Sequence, residues 1–330
     1  MNIENRFLAI KSFLLEHFEL LSSEVLENAD NLPSEYLNWA KSFAKLEPQL
    51  QIDIENGVDT NSSDSVELNH YLSKIKELSK LPTQEYKESN IPKKLQRKLT
   101  LKKQHEITQI QGVLKSLEHK NFVDIGSGAG HLSSVLLYEN DKRSICIDRD
   151  KQFQNIGKEK LKKSAPDIIK RLTFETKEIG PNFDLDAYSA DMLIGLHTCG
   201  DLSPDLINAY IKSGTKAFMN IGCCYHKLSD DHYNLSKLSQ EGQTLKLTNH
   251  ALTMAAKSYK TMTTQERMTR LSVKSYRYTL HLFMQEVLNI PFKSLGNANA
   301  QDYLGPFESY AFKYLPELKT CLLYTSDAAD

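Results

Sequence analysis

Three glycines stand at the exit of an apolar stretch, in Asp124-Ile125-Gly126-Ser127-Gly128-Ala129-Gly130-His131. Glycines at a strand-to-helix turn let the backbone approach a ligand where a side chain would clash. The spacing is G-x-G-x-G, one position short of the dinucleotide pattern, and no G-x-x-x-x-G-K-[ST] phosphate loop occurs. Asp124, two residues before the first glycine, would add negative charge beside a pyrophosphate and so suits a cationic ligand better. Ile147-Asp148 ends the next apolar run, 22 residues beyond Gly126, where a carboxylate accepts from both ribose hydroxyls. S-adenosylmethionine meets these demands, with a ribose for Asp148, a cationic amino-acid end near Asp124 and no phosphate. A nicotinamide-dinucleotide enzyme is the second reading.

Two further polar runs leave apolar stretches. One is His197-Thr198-Cys199-Gly200-Asp201, and the other is Asn220-Ile221-Gly222-Cys223-Cys224-Tyr225-His226. In doubly wound sheets ligands bind beyond the carboxyl ends of the strands, so both runs are expected on one rim. In a transfer site, His197 or Asp201 would accept a proton while Tyr225 packs the acceptor. A metal site is the competing reading, since His197, Cys199, Cys223, Cys224 and His226 are sufficient ligands in kind and number. Spacing weighs against it, because Cys223 and Cys224 are adjacent and point to opposite sides if the strand continues. The expectation is no metal. Cys146 reads as a small buried hydrophobe. Asn/Asp-Pro-Pro-aromatic, the mark of amino-directed methyltransferases, is absent. That weakens an adenine-N6 or glutamine target, but methyl transfer as such needs mainly in-line positioning.

The elements that must hold these groups alternate. A helix through Ile107, Ile110, Leu114 and Leu117 leads into a strand at 122–125, and a helix through Leu132 and Val135 precedes a strand at 144–147. A Lys-rich helix over 153–161 follows, then strands at 172–175, 192–196 and 217–221, with Ser203-Pro204-Asp205 opening a helix between the last two. This order predicts an α/β, doubly wound parallel sheet over 91–320. Residues 1–90 read as an α-helical region, with helices over 5–27, around Trp39 and Phe43, and through Leu68, Leu72, Ile75 and Leu78. A polar loop is expected at 53–65.

With 330 residues, Lys+Arg 41 against Asp+Glu 42 and 40% apolar residues, the chain is ordinary globular material without a global pull toward nucleic acid or membrane. The basic stretch 87–103 reads as a solvated linker before it reads as an RNA contact, because few aromatics interleave to stack bases. No run approaches a membrane span, and the apolar start is broken by Lys11 and Glu16. Five cysteines without disulfide spacing imply free thiols in a reducing compartment, cytoplasmic or nuclear.

The motifs KKQHEI (Lys102–Ile107), VDIGSGAGHLS (Val123–Ser133), IGLHTCGDLS (Ile194–Ser203) and IGCCYHKLS (Ile221–Ser229) resemble the methyltransferase-like protein 25 family, some of whose members are named rRNA adenine dimethylase domain-containing. The resemblance covers roughly residues 90–320 and implies an S-adenosylmethionine-dependent methyltransferase with a class I Rossmann-like domain. Asp124, Gly126, Ser127, Gly128, Gly130 and Asp148 would contact the cofactor, and Lys103, His105 and Glu106 would cover it. The acceptor, whether protein, RNA or small molecule, is not in the motifs. A non-catalytic binding module on the same fold is the alternative.

The chain departs from the family in two ways. Thr100-Leu101 stands where the family has Ser-Pro, and no strand pair is legible after His226, where class I sheets have two more strands. The tail 321–330 looks like translated adapter sequence, and the expectation is a C-terminally truncated chain.

Overall fold

The computed structural model describes every residue except 1, 24–32, 83–90, 97–98, 116, 139, 231–232, 257–262, 292–294, 296–297 and 317–330. Val25, residues 87–90 and 97–98 of the basic stretch 87–103, and the whole tail 321–330 therefore lie outside the described residues. The chain divides into two compact units, residues 80–256 and residues 1–79 with 257–330.

The first unit holds a five-stranded sheet. Its strands are β1 (Asn121–Ile125), β2 (Arg143–Asp148), β3 (Leu172–Thr176), β4 (Met192–Leu196) and β5 (Ala217–Ile221). Their order is β3-β2-β1-β4-β5, and all four pairings are parallel. The direction of winding reverses between β1 and β4, so the crevice of this α/β, Rossmann-like fold lies beyond Ile125 and Leu196. All five expected strands form. Among the described residues no strand follows Ile221.

Both faces of the sheet are covered, which explains the near-continuous apolar runs of β1 and β4. Side chains alternate between two clusters. Phe122, Met192 and Ile194 pack with Ile107, Leu114, Leu132 and Val135 on one face. Val123, Ile125, Ile147 and Leu193 pack with Leu185 and Leu206 on the other. Helix Leu101–Lys115 runs ahead of β1, helix His131–Leu136 joins β1 to β2, and helix Lys151–Ser164 follows β2. Asp150 caps the last of these, accepting from the amides of Gln152 and Phe153 at 2.8 and 3.2 Å.

The alternation decides where Asp124 goes. It shares a face with Phe122, opposite Cys146 in the register, and points under helix His131–Leu136. It is only 2% exposed and accepts from Ser133 Oγ at 2.7 Å, while Ser133 Oγ also meets Ser144 Oγ at 2.8 Å. The carboxylate expected near a cationic ligand end thus lies in the sheet interior, against Ser133. Burial raises its pKa from 3.8 to about 6, against the opposing pull of Ser133 and of the Lys103 ammonium.

The second unit is helical in its described residues. Helices Ile3–Glu16, Ser34–Ala44 and Val66–Leu78 meet through Phe13, His17, Tyr36, Trp39 and Tyr71, with ring centroids 4.7–6.1 Å apart. The expected single helix 5–27 breaks at His17, whose φ of −107° and ψ of 24° leave the helical region, and a short helix Phe18–Ser22 follows. The expected loop 53–65 starts later, because Pro48 opens a helix that runs to Glu55 and buries Ile54. Near the other end of the chain, Leu280 and Met284 of helix Thr264–Glu286 pack on Tyr303, Tyr310, Ala311 and Leu315. Their apolar faces are satisfied by one another. No helix among the described residues is long and apolar enough to cross a membrane.

Two predictions arise from this packing. A Cβ on Gly157 would lie 2.3 Å from the carbonyl oxygen of Ala129, inside the glycine turn. Gly157→Ala gains up to about 1 kcal/mol of helix propensity, but a clash with backbone costs about 1–3 kcal/mol, so the net expectation is a lowered denaturation midpoint. Gly180→Ala, which meets nothing within 4 Å, is the neutral control. Asp124 carries a raised folded-state pKa, so its contribution is favourable below pH 4 and is lost as pH rises toward 6. Relative to Asp124→Asn, the wild type should gain on the order of 2 kcal/mol between pH 7.5 and pH 4. A pH-independent difference in unfolding free energy would show that the acid is not desolvated.

Candidate functional site

The turn after β1 is held by its neighbour β2. The amides of Gly126 and Ser127 donate to the Ile147 carbonyl at 2.9 and 3.3 Å, and the amide of Gly128 donates to Asp148 Oδ2 at 2.7 Å. Asp148 Oδ1 accepts from the Asp150 amide at 2.8 Å. Gly126, Gly128 and Gly130 have φ of +70°, +54° and +69°, where a side chain is strained. Their surroundings differ. A Cβ on Gly130 would press on Phe174 at 3.0 Å, whereas one on Gly128 would meet nothing within 4 Å. Gly130 therefore serves packing, and Gly128 faces open space. Ser127 is half-buried, with its Oγ 3.4 Å from the Ile147 carbonyl oxygen.

Helix Leu101–Lys115 supplies the residues upstream. His105 is exposed, and Lys103 lies near enough to act on both Asp124 and His131. Burial, with the Lys160 and Lys103 charges, pushes His131 down to about 4, so it is neutral at physiological pH. Glu106 reaches the end of β4, where its Oε2 lies 3.0 Å from His197 Nε2. Lys102 Nζ stands 3.6 Å from Glu106 Oε1. His197 adopts φ of +62°, rare for a non-glycine residue, and its amide donates to the Ile221 carbonyl. The structure thus joins a residue expected to cover the cofactor to one expected to do chemistry.

The other two rim residues separate. Asp201 Oδ1 accepts from the Ser229 amide at 2.7 Å, which ties down the loop after β5. Tyr225 is 53% exposed and lines a cavity of about 310 Å³ with Thr198, Ser203, Asn220, Cys223 and Cys224. Beneath that cavity Thr198 Oγ1 donates to Asn220 Oδ1, Asn220 Nδ2 donates to Ser203 Oγ, and Ser203 Oγ donates to the Thr198 carbonyl. A Cβ on Gly195 would lie 2.6 Å from Thr198 Cγ2, and one on Gly222 would lie 2.8 Å from Ser203 Oγ. This network was not read from the sequence, although the glycines flanking both runs were its signal.

The cysteines also differ from expectation. β5 ends at Ile221, so the alternation that would separate Cys223 from Cys224 no longer applies. Their sulfurs are 3.6 Å apart, and Cys199 Sγ lies 3.1 Å from Cys223 Sγ. The spacing argument against a shared site therefore fails. Burial pushes the Cys223 thiol up to about 12, while hydrogen bonds from Cys199 and Cys223 hold Cys224 below its usual range.

Residues 102–231 match a family described as a methyltransferase domain. Over 47 residues the chain is 45% identical to the mouse protein named "Probable methyltransferase-like protein 25" and 43% identical to its human counterpart. The match spans 14% of this chain and 8% of each relative. Both support the resemblance carried by the motifs. Solved structures similar to the chain include the methyltransferase domain of bacterial CtHen1, at 21% identity and TM-score 0.27, covering 32% of this chain and 57% of that one. Another is an S-adenosylmethionine-dependent methyltransferase from Geobacter sulfurreducens in complex with S-adenosylhomocysteine, at 15% identity and TM-score 0.26, covering 36% and 51%. The segment 102–231 thus matches a methyltransferase-domain family and builds a parallel sheet of Rossmann-like topology.

Proposed function

We propose that this domain binds S-adenosylmethionine and transfers its methyl group to an acceptor not yet identified, whether protein, RNA or small molecule. The observation that carries the reading is the cradle at Gly128, whose α-carbon faces space that a Cβ would fill and whose amide is held by Asp148. In this reading, Gly126, Ser127 and Gly128 give the cofactor close access to backbone, and Gly130 sets the turn. Asp148 has one lone pair on each oxygen committed to an amide and one left for a ribose hydroxyl. Asp124 acts from below through Ser133, as a positioning residue. Lys103 and His105 stand on the helix that would cover the site.

The cofactor supplies an electrophilic methyl group when bound. What the protein adds is orientation and, for an acceptor that must lose a proton, a base. His197 is the best-placed candidate, with Glu106 orienting its ring. Asp201 is less suited to that role, since its carboxylate holds Ser229. Tyr225 offers an exposed ring at the cavity mouth for packing the acceptor.

Titration calorimetry with S-adenosylhomocysteine tests the cofactor assignment. The full chain should bind one equivalent with micromolar affinity, and Gly128→Val should abolish binding while the far-ultraviolet dichroism stays unchanged. Asp148→Ala should weaken binding by roughly ten- to a hundred-fold, the equivalent of about 1.5–3 kcal/mol for hydrogen bonds to a charged group. Absence of binding by folded wild type would favour a non-catalytic module on the same fold. His197→Ala should keep cofactor affinity and lower turnover once an acceptor is known, and loss of affinity would place His197 in the cofactor site instead.

A further inference from the structure

Cys199, Cys223 and Cys224 stand apart from the cofactor cradle, and nothing in the proposed transfer uses their sulfurs. Cys199 lies on the loop after β4, and the two others lie on the loop after β5. Each Sγ is within 4.8 Å of the other two, with separations of 3.1 Å for Cys199–Cys223 and 3.6 Å for Cys223–Cys224. A tetrahedral zinc ion with Zn–S bonds of about 2.3 Å sets its sulfurs about 3.8 Å apart. Both observed spacings fall short of that value by less than 1 Å, so sub-ångström shifts bring all three onto one ion.

The loops are built for this convergence. Gly200, at φ of +61°, brings the Cys199 loop so close to the second loop that a Cβ there would lie 2.8 Å from the Lys227 carbonyl oxygen. Gly222 likewise lets the second loop close on Ser203. Three sulfurs occupy three corners of a tetrahedron. Cys223 and Cys224 also line the 310 Å³ cavity, so the fourth corner is free for water or a ligand entering there. His226, two residues beyond Cys224, has a buried Nδ1 with no hydrogen-bond partner, and a small rotation of the turn Tyr225–Lys227 would offer it as the alternative fourth donor.

We propose that Cys199, Cys223 and Cys224 form a thiolate site for a soft divalent cation, zinc, on the rim of strands β4 and β5. Binding displaces one proton from each thiol, which leaves the ion and its three sulfurs with net charge −1. Lys227, whose charge acts on Cys224, offsets that charge. Soft thiolate donors select zinc over magnesium or calcium. The site is independent of cofactor binding, so its test and the calorimetry above can fail separately.

The experiment uses the full chain, purified under reducing conditions, incubated with zinc chloride, and freed of loosely held metal on a chelating resin. Elemental mass spectrometry should give one zinc per chain, and cobalt(II) in its place should show thiolate-to-cobalt charge-transfer absorption. Cys199→Ser and Cys223→Ser should each lower the retained zinc at least ten-fold, while Cys146→Ala, in the sheet interior, retains it. Should the serine variants not fold, alkylation of wild type decides, because zinc should protect Cys199, Cys223 and Cys224 from iodoacetamide together. Folded, reduced protein holding no zinc above the buffer blank would overturn the proposal. Equal alkylation of the three thiols with and without zinc, or full retention by the Cys199→Ser/Cys223→Ser double variant, would do the same.

Discussion

Asp148 holds the turn that makes the crevice. Its two carboxylate oxygens accept from the amides of Gly128 and Asp150, one in the loop after β1 and one at the cap of the helix after β2. A single side chain thus sets the spacing between the glycine turn and the strand beside it. Amide N–H groups without an acceptor would be costly if shut away from water, and a charged acceptor satisfies them more strongly than a neutral one. Gly157 completes the clamp from behind, since only a residue without a Cβ lets the following helix sit against the carbonyl of Ala129. The turn is thus tied on one side by Asp148 and packed on the other by Gly157.

The rim of β4 and β5 follows the same constraint of close backbone approach. Gly195, Gly200 and Gly222 each occupy a place where a methyl group would meet an atom at 2.6–2.8 Å. Their absence of side chains allows the Thr198, Ser203 and Asn220 hydrogen bonds to close on one another and draws the three cysteines together. His197 leaves the same strand in a left-handed conformation, a local cost offset by its amide bond to Ile221 and by its contact with Glu106. Two kinds of chemistry, an imidazole paired with a carboxylate and a group of thiols, therefore leave the ends of two adjacent strands.

Burial, rather than residue type, separates the acids. Asp148 was read as the acid for the ribose and Asp124 as the acid near the cationic end, yet Asp124 is sealed under a helix with a raised pKa while Asp148 stands at the strand end with a lone pair left on each oxygen. The helices after residue 263 show the same principle on a larger scale. Their aromatic and aliphatic faces bury one another around Leu280 and Tyr310, so this part of the chain builds a core of its own.

Much of the fold was legible in the sequence. Runs such as Met192–Leu196 are apolar on both faces, and strand-to-helix alternation admits few arrangements, so five strands and their parallel pairing followed from period and connection rules. The glycine turn was legible because positive φ and close approach favour one residue type. The direction in which a side chain points from a short strand was readable in principle, and the face of Asp124 could have been assigned from its place two residues after Phe122. What only the tertiary structure decided are the contacts between residues far apart in the chain: Glu106 with His197, Thr198 with Asn220, and Cys199 with Cys223. These depend on where β5 ends and how tightly two loops pack. Such quantities are set by the sum of many weak contacts, and no local pattern of residues encodes them.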